Sequence, residues 1–213
     1  MIRSALLVAF LLSTLVPRAQ AVLEPVARTI KCAKAAVNCL VLAPKGDRIL
    51  VGTEDGAELI DLATGKRVHL LAFNEDQSTE VWHAQFNENG EYVMLAGFTG
   101  KRAVYDLKTG QPDGRLARFT WLPNSLAMKA IGLKVGNSPF DRYYQQESAQ
   151  HGEITAKADK NGTIVFHDPK GAAIQKLTFP TTKDVHYRAP CLFTDTEFIT
   201  ATVDGRVLFY TLR

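Results

Sequence analysis

The side chains that could perform chemistry are few and widely spaced along the chain. Of the five histidines, His83 and His186 are the candidates to hold a metal. Glu80 and His83 have the spacing of ligands on a helix, but this region is typical of a strand, where that spacing separates two side chains onto opposite faces. None of the common hydrolase, zinc-protease, phosphate-loop or dinucleotide motifs occurs. The sequence predicts no catalytic residue, no metal site and no cofactor.

The three cysteines are Cys32, Cys39 and Cys191. A disulfide between Cys32 and Cys39 would close a short loop, and one between Cys39 and Cys191 would join the two ends of the chain. An odd number leaves at least one thiol unpaired in a monomer. Free buried thiols are the alternative, and the sequence does not choose between these arrangements.

A cluster of aromatic and basic residues is the best candidate for binding. Phe140, Arg142, Tyr143 and Tyr144 lie in a segment, 134–152, that reads as an insertion into a repeat. Tyrosine and arginine are enriched among the residues that dominate protein interfaces. We expect this segment to contact a protein partner; the alternative is that its tyrosines cover the edge of a sheet.

The first 21 residues have the pattern of a secretory signal peptide. Arg3 is followed by an apolar run, then by Pro17 and the small-residue sequence Ala19-Gln20-Ala21. The run is about twelve residues long, short of the roughly 20 that span a bilayer. We expect cleavage after Ala21 and export to the periplasm or the secretory pathway, with residues 22–213 forming the mature domain.

Charge argues against nucleic-acid binding. The leader contains Arg3 and Arg18 and no acidic residue, so its removal lowers the formal net charge from +3 to +1. No block of lysine and arginine stands out, whereas nucleic-acid binding needs a concentrated positive face. No later stretch is long and apolar enough for a transmembrane helix.

A unit of about 43 residues recurs along the chain. Glycines at positions 56, 100, 162 and 205 each separate two apolar runs. The runs that follow lead into Asp-Leu-Ala-Thr-Gly (61–65), Asp-Leu-Lys-Thr-Gly (106–110) and Asp-Pro-Lys-Gly (168–171). Asp-Gly and Asn-Gly pairs favour tight hairpins, and in the longer turns we expect the aspartate to accept amide hydrogen bonds while glycine adopts a left-handed conformation. Each unit therefore predicts four antiparallel strands.

This repeat resembles a WD40-like β-propeller blade, whose period is 40 to 45 residues. The resemblance implies an all-β fold with about four blades over residues 25–213. The chain lacks the family's Trp-Asp pair, since Ile60, Tyr105 and His167 precede the turn aspartates, and it lacks the Gly-His pair. The third unit is about 18 residues longer than the others, and we expect its innermost strand within 125–133.

The two ends of the repeat array are complementary. The fourth unit ends after its third strand, and residues 24–31 could supply the missing outer strand. That strand could be filled within one chain, giving a closed four-bladed ring, or by a second copy, giving a homodimer with a larger ring.

The functional expectation is a non-catalytic, exported propeller that binds other proteins or forms part of a larger assembly. The alternative is an enzyme or a binder of a small ligand or metal that uses the central channel, with His83 at its mouth. Fold class alone does not choose between the two.

Overall fold

The computed structural model describes residues 22–32, 34–74, 78–98, 102–113, 130–132, 144–159, 161–179 and 186–213. In these ranges the protein is all-β, and a 3-10 helix (Tyr144–Glu147) precedes the tenth strand. The strands are β1 (Leu23–Lys31), β2 (Val37–Leu42), β3 (Arg48–Thr53), β4 (Gly56–Asp61), β5 (Arg67–Leu71), β6 (His83–Phe86), β7 (Tyr92–Ala96), β8 (Arg102–Asp106), β9 (Gln111–Pro112), β10 (Ser148–His151), β11 (Ile154–Ala158), β12 (Ile164–His167), β13 (Ala173–Leu177), β14 (Leu192–Phe193), β15 (Glu197–Ala201) and β16 (Arg206–Leu212). None of the described helical residues form a helix long and apolar enough to cross a membrane.

The strands form four antiparallel sheets of four strands each within the described ranges. Sheet 1 contains β2 to β5, sheet 2 contains β6 to β9, and sheet 3 contains β10 to β13, each in chain order. Sheet 4 contains β14, β15 and β16, with β1 as its fourth strand. The expected all-β architecture of four repeated units is confirmed, and it is propeller-like.

The predicted turn chemistry is also present. In sheet 1, Asp61 Oδ1 accepts hydrogen bonds from the amide and the hydroxyl of Thr64, both at 2.7 Å. These bonds lower the pKa of the Asp61 carboxyl. Gly65 has a φ of 67°, and its amide donates to the Asp61 carbonyl at 2.9 Å. In sheet 2 the Asp106 carboxylate accepts from the Lys108 amide at 2.7 Å, and the Gly110 amide donates to the Asp106 carbonyl at 2.8 Å. Hydrogen bonds within a few residues therefore stabilise each turn, and they do not depend on packing between sheets.

The N-terminal strand completes sheet 4. β1 runs antiparallel to β16, from Leu23 opposite Leu212 to Lys31 opposite Arg206, with irregular register before Arg28. The expected pairing of residues 24–31 with residues 205–213 is confirmed within one chain. The pairing covers an edge of β16 that would otherwise expose unpaired backbone groups.

Arg28 connects β1 to two sheets. Its guanidinium carbon lies 4.0 Å from the centroid of the Phe209 ring in β16. Nη1 donates to the carbonyl of Leu62 in sheet 1 at 2.7 Å, and Nη2 lies 3.9 Å from the Glu197 carboxylate in β15. One side chain thus anchors the N-terminal strand both to its own sheet and to the neighbouring sheet.

Three buried apolar clusters join the sheets side by side. One lies between sheets 1 and 2, one between sheets 1 and 4, and one between sheets 3 and 4. In the last, the rings of Phe166 and Phe198 meet edge to face with centroids 5.0 Å apart. Middle strands such as β3 and β7 are buried on both faces. This explains why the sequence shows continuous apolar runs there, where a sheet with one solvated face would show alternation.

One expectation about the third unit is wrong. Residues 125–133 were expected to contain its innermost strand, but the first strand of sheet 3 is β10, at Ser148–His151. The apolar run at 125–133 has the composition of a strand, whereas β10 is short and only partly buried. β10 therefore lies within 134–152, the segment expected to be an insertion, and that expectation is wrong for residues 148–151.

All three cysteines are free thiols, which was the alternative to a disulfide. Cys39 is buried between sheets 1 and 2, and Cys191 between sheets 3 and 4. Cys32 packs against the cluster between sheets 1 and 4. Burial raises the pKa of each thiol to about 12.

We expect these thiols to be almost unreactive in the folded protein. At pH 8 a thiol with a pKa near 12 is a thiolate on the order of 1000-fold less often than a free cysteine. Titration with a disulfide reagent should detect no fast-reacting thiol in the native protein and all three cysteines after unfolding in guanidinium without reductant. Recovery of a single thiol in the unfolded, unreduced protein would show a disulfide instead.

Candidate functional site: a cavity where the turns of the sheets meet

A cavity of about 320 Å³ lies where segments from all four sheets converge. Part of its wall comes from residues at or just before the first strands β2, β6, β10 and β14. The rest comes from the turns between the second and third strands of three sheets, which contribute Glu54, Phe98 and Val203. We call this the turn-face cavity.

Exposed apolar side chains gather at this cavity. Tyr187 is 63% exposed, Phe98 is 48% exposed and Val203 is 41% exposed, and all three line the wall. The Trp82 ring lies edge-on to Phe98 with centroids 5.9 Å apart. Indole Nε1 of Trp82 donates to the Glu80 carboxylate at 2.8 Å, which fixes the orientation of the ring. Apolar surface clustered around a concavity is typical of binding sites.

Among the described residues of the cavity wall, carboxylates outnumber basic side chains by two to one. Glu54 and Glu147 line it, and Arg188 is the only lysine or arginine among the described residues of its wall. Arg188 Nε lies 3.7 Å from the Glu147 carboxylate, and its guanidinium carbon is 5.9 Å from the centroid of Trp82. The exposed Glu54 carboxylate forms no ion pair within the described residues.

A glutamine side chain joins the 3-10 helix before β10 to strand β2 of sheet 1. Gln146 Oε1 accepts from the Leu40 amide at 2.9 Å, and Gln146 Nε2 donates to the Leu40 carbonyl at 3.1 Å. The side-chain amide thus pairs with the edge of β2 as a neighbouring strand would. Nearby, the buried Nδ2 of Asn38 has no hydrogen-bond partner in the described structure, although Asn38 lines the cavity.

His186 is held in one neutral form at the cavity wall. Its Nε2 lies 2.6 Å from the Val37 carbonyl, and its Nδ1 lies 3.2 Å from the Arg188 amide. Because a carbonyl only accepts and an amide only donates, the proton resides on Nε2. Burial lowers the pKa of His186, and the bond to Val37 opposes that shift in part.

We expect the protein to lose stability as the pH falls below about 6.5. The unfolded chain binds a proton on His186 near the usual histidine pKa of about 6.5, whereas the folded protein resists it, so the unfolded state gains more protons as pH decreases. The urea midpoint should therefore be lower at pH 5.5 than at pH 7.5. His186→Gln, which can still donate to Val37, should reduce this difference, and an unchanged difference would contradict the assignment.

The candidates predicted from sequence are only partly within the described structure. Phe140, Arg142 and Tyr143 lie outside the described residues, and Tyr144 begins the 3-10 helix that leads into β10. His83 is the first residue of β6 and is not among the described residues that line the turn-face cavity, whereas His186 is. The described residues contain no group of three or more histidine, cysteine or carboxylate side chains that could hold a metal.

The residues that sequence reasoning missed are those of the turns. The loops that contain Thr79 and Tyr187 lie beside the turns at 54–56 and 203–205. The Thr79 carbonyl accepts from the Gly56 amide at 2.9 Å, and Tyr187 lines the same cavity as Val203. The available signal was an apolar residue within two of these turns, Phe98 and Val203, where polar residues are usual.

Comparison with known proteins does not assign a family. No family model matches the chain, and no curated protein matches it. Similar solved structures include the computationally designed Ika8 protein (17% identity, TM-score 0.35) and U3-55K (9% identity, TM-score 0.40). The aligned region covers 85% of this chain and 48% of the first, and 87% of this chain and 56% of the second. This chain thus matches about half the length of each, and likenesses at these scores carry no argument about its function.

Proposed function

We propose that the protein is a non-catalytic, exported, WD40-like β-propeller of four blades that binds another protein through its turn-face cavity. The observation that carries the proposal is the gathering of Phe98, Tyr187 and Val203 at one concave site. Interface centres are apolar and aromatic, and they are surrounded by polar groups. Glu54 and Arg188 supply such groups around this cavity.

Ring closure within one chain is part of the proposal. The confirmed β1–β16 pairing and the three clusters between neighbouring sheets support it. A closed ring of four blades predicts a monomer, whereas pairing of two chains predicts a dimer with a larger ring. Size-exclusion chromatography with light scattering distinguishes the two, because it gives the mass of one chain or of two.

Binding is tested by affinity capture from the native compartment with paired surface variants. Phe98→Ser/Tyr187→Ser removes apolar surface from the cavity. Val68→Ser/Leu70→Ser removes it from β5, where these residues are 44% and 55% exposed. We expect the first variant to lose the captured partner and the second to keep it.

Two results would contradict this proposal. One is capture that survives the cavity substitutions, and the other is a wild-type protein that always purifies alone. Both variants change exposed side chains, so each should unfold within a few degrees of wild type. Thermal unfolding of each variant provides that control.

A further inference from the structure

We infer that the turn-face cavity receives a positively charged side chain, lysine or arginine, from the partner polypeptide. This inference rests on the proposed function and names the chemistry of the partner at that same cavity. It is carried by the aromatic wall, by the balance of charge and by an unpaired hydrogen-bond donor.

The aromatic wall provides faces for a cation. Trp82, Phe98 and Tyr187 all line the cavity. A cation near an aromatic face is stabilised electrostatically, and tryptophan is the best of the three ring types. The protein already places one guanidinium here, since Arg188 lies 5.9 Å from the Trp82 centroid. This environment therefore accepts a cation beside aromatic rings.

The charge balance favours a basic occupant over an acidic one. Arg188 is paired with Glu147, and the Glu80 carboxylate is bonded to the neutral indole of Trp82. Glu54 has no ion-pair partner among the described residues, and it is exposed at the wall. An entering ammonium or guanidinium would compensate this negative charge, whereas an entering carboxylate would meet like charges.

The Asn38 amide indicates that the cation belongs to a polypeptide. Its buried Nδ2 lacks an acceptor within the described structure, and an unpaired buried donor destabilises the folded protein. A backbone carbonyl that enters with the basic side chain would supply that acceptor. A cavity of about 320 Å³ is also near the lower limit for ligand sites. It suits one side chain with its adjoining backbone.

The test uses blocked single amino acids as probes. The N-acetyl, N′-methylamide derivatives of arginine, lysine, norleucine and glutamate are each titrated into the full-length mature protein, and backbone amide signals are followed by NMR. Because such small ligands bind weakly, the titration extends to about 50 mM. We expect saturable shifts at residues 54, 98 and 187 with arginine and lysine, at least fivefold weaker binding of norleucine and no saturable shift with glutamate.

Matched variants separate the contribution of the aromatic ring from that of the carboxylate. Tyr187→Phe keeps the ring and should bind the lysine derivative as wild type does, whereas Tyr187→Leu keeps apolar surface and should bind it about threefold to tenfold more weakly. Glu54→Gln should weaken binding by about twofold to fivefold, and 0.3 M added salt should weaken wild-type binding. Norleucine binding as tight as lysine binding, or a Glu54→Gln variant indistinguishable from wild type, would overturn the inference. So would the absence of any shift with both basic probes.

This inference and the proposed function fail in different ways. If affinity capture depends on Phe98 and Tyr187 but neither basic probe binds, the docking surface stands and the cationic occupant is wrong. If capture is insensitive to both side chains, the docking surface itself is wrong. Measuring capture and probe binding on the same variants gives both answers.

Discussion

Deletion of residues 22–31 should abolish cooperative folding. The deletion removes the fourth strand of sheet 4 and three buried apolar side chains, Val22, Leu23 and Ile30. Burial of such a side chain contributes about 1.5 to 3 kcal/mol, and a typical domain is stable by only 5 to 15 kcal/mol. β16 would also expose an unpaired edge. Circular dichroism during heating should show a broad transition or aggregation where the intact protein unfolds sharply.

A synthetic peptide of residues 22–32 should restore folding of the deleted protein. It supplies the strand in trans and re-forms the β1–β16 pairing. A peptide with Arg28→Ala should be less effective, because it loses the contacts with Phe209, Leu62 and Glu197. A scrambled peptide is the control for non-specific effects. A deleted protein that unfolds as sharply and at the same temperature as the intact one would show that β1 contributes little.

Gly52→Ala should destabilise the folded protein strongly. Gly52 lies in β3, and a Cβ there would be 2.4 Å from Cys39 Sγ and 2.9 Å from Val81 Cγ1. Both neighbours are fully buried. Overpacking of this kind costs about 3 kcal/mol, which corresponds to roughly 6 to 12 °C for a domain of this size. Calorimetry or thermal unfolding measures the change directly.

The steric origin of this effect is tested by a second substitution. Cys39→Ala removes the sulfur that the new methyl group meets, so Gly52→Ala/Cys39→Ala should be more stable than the sum of the two single effects predicts. Gly152→Ala is the matched control, since its φ is 57° and nothing lies within 4 Å of an added Cβ. It should cost only about 1 kcal/mol, from the left-handed backbone. Equal costs at Gly52 and Gly152 would contradict the packing argument.

The fold was largely predictable because its turns are encoded locally. The Asp-x-x-Thr-Gly sequences define hairpin turns through bonds within a few residues, as at Asp61. Complementary ends of the repeat array also predicted that β1 would pair with β16. The first strand of sheet 3 was misplaced because Ser148–His151 is an inner strand with little apolar character. Its place in the sheet depends on pairing with β11, which no local pattern reveals.

The candidate site was much less predictable than the fold. Phe98, Tyr187 and Val203 are far apart in the chain, and only the packing of sheets brings them to one cavity. Sequence reasoning gave no weight to single apolar residues in turns. The hydrogen bonds from Gln146 to Leu40 were also unforeseeable, since a polar side chain there substitutes for a strand.

The pairing of β1 with β16 has a consequence for the order of events during synthesis. β1 leaves the ribosome before every other strand of this fold, and its partner leaves last. Paired residues of the two strands lie up to 189 positions apart in the chain, as do Leu23 and Leu212. Sheets 1 to 3 are built from consecutive strands, so each can form as it emerges. β1 remains unpaired until β16 has been synthesised. A chain that ends before β16 therefore leaves the backbone groups of β1 unpaired. This exposed N-terminal strand distinguishes an incomplete product from a finished one.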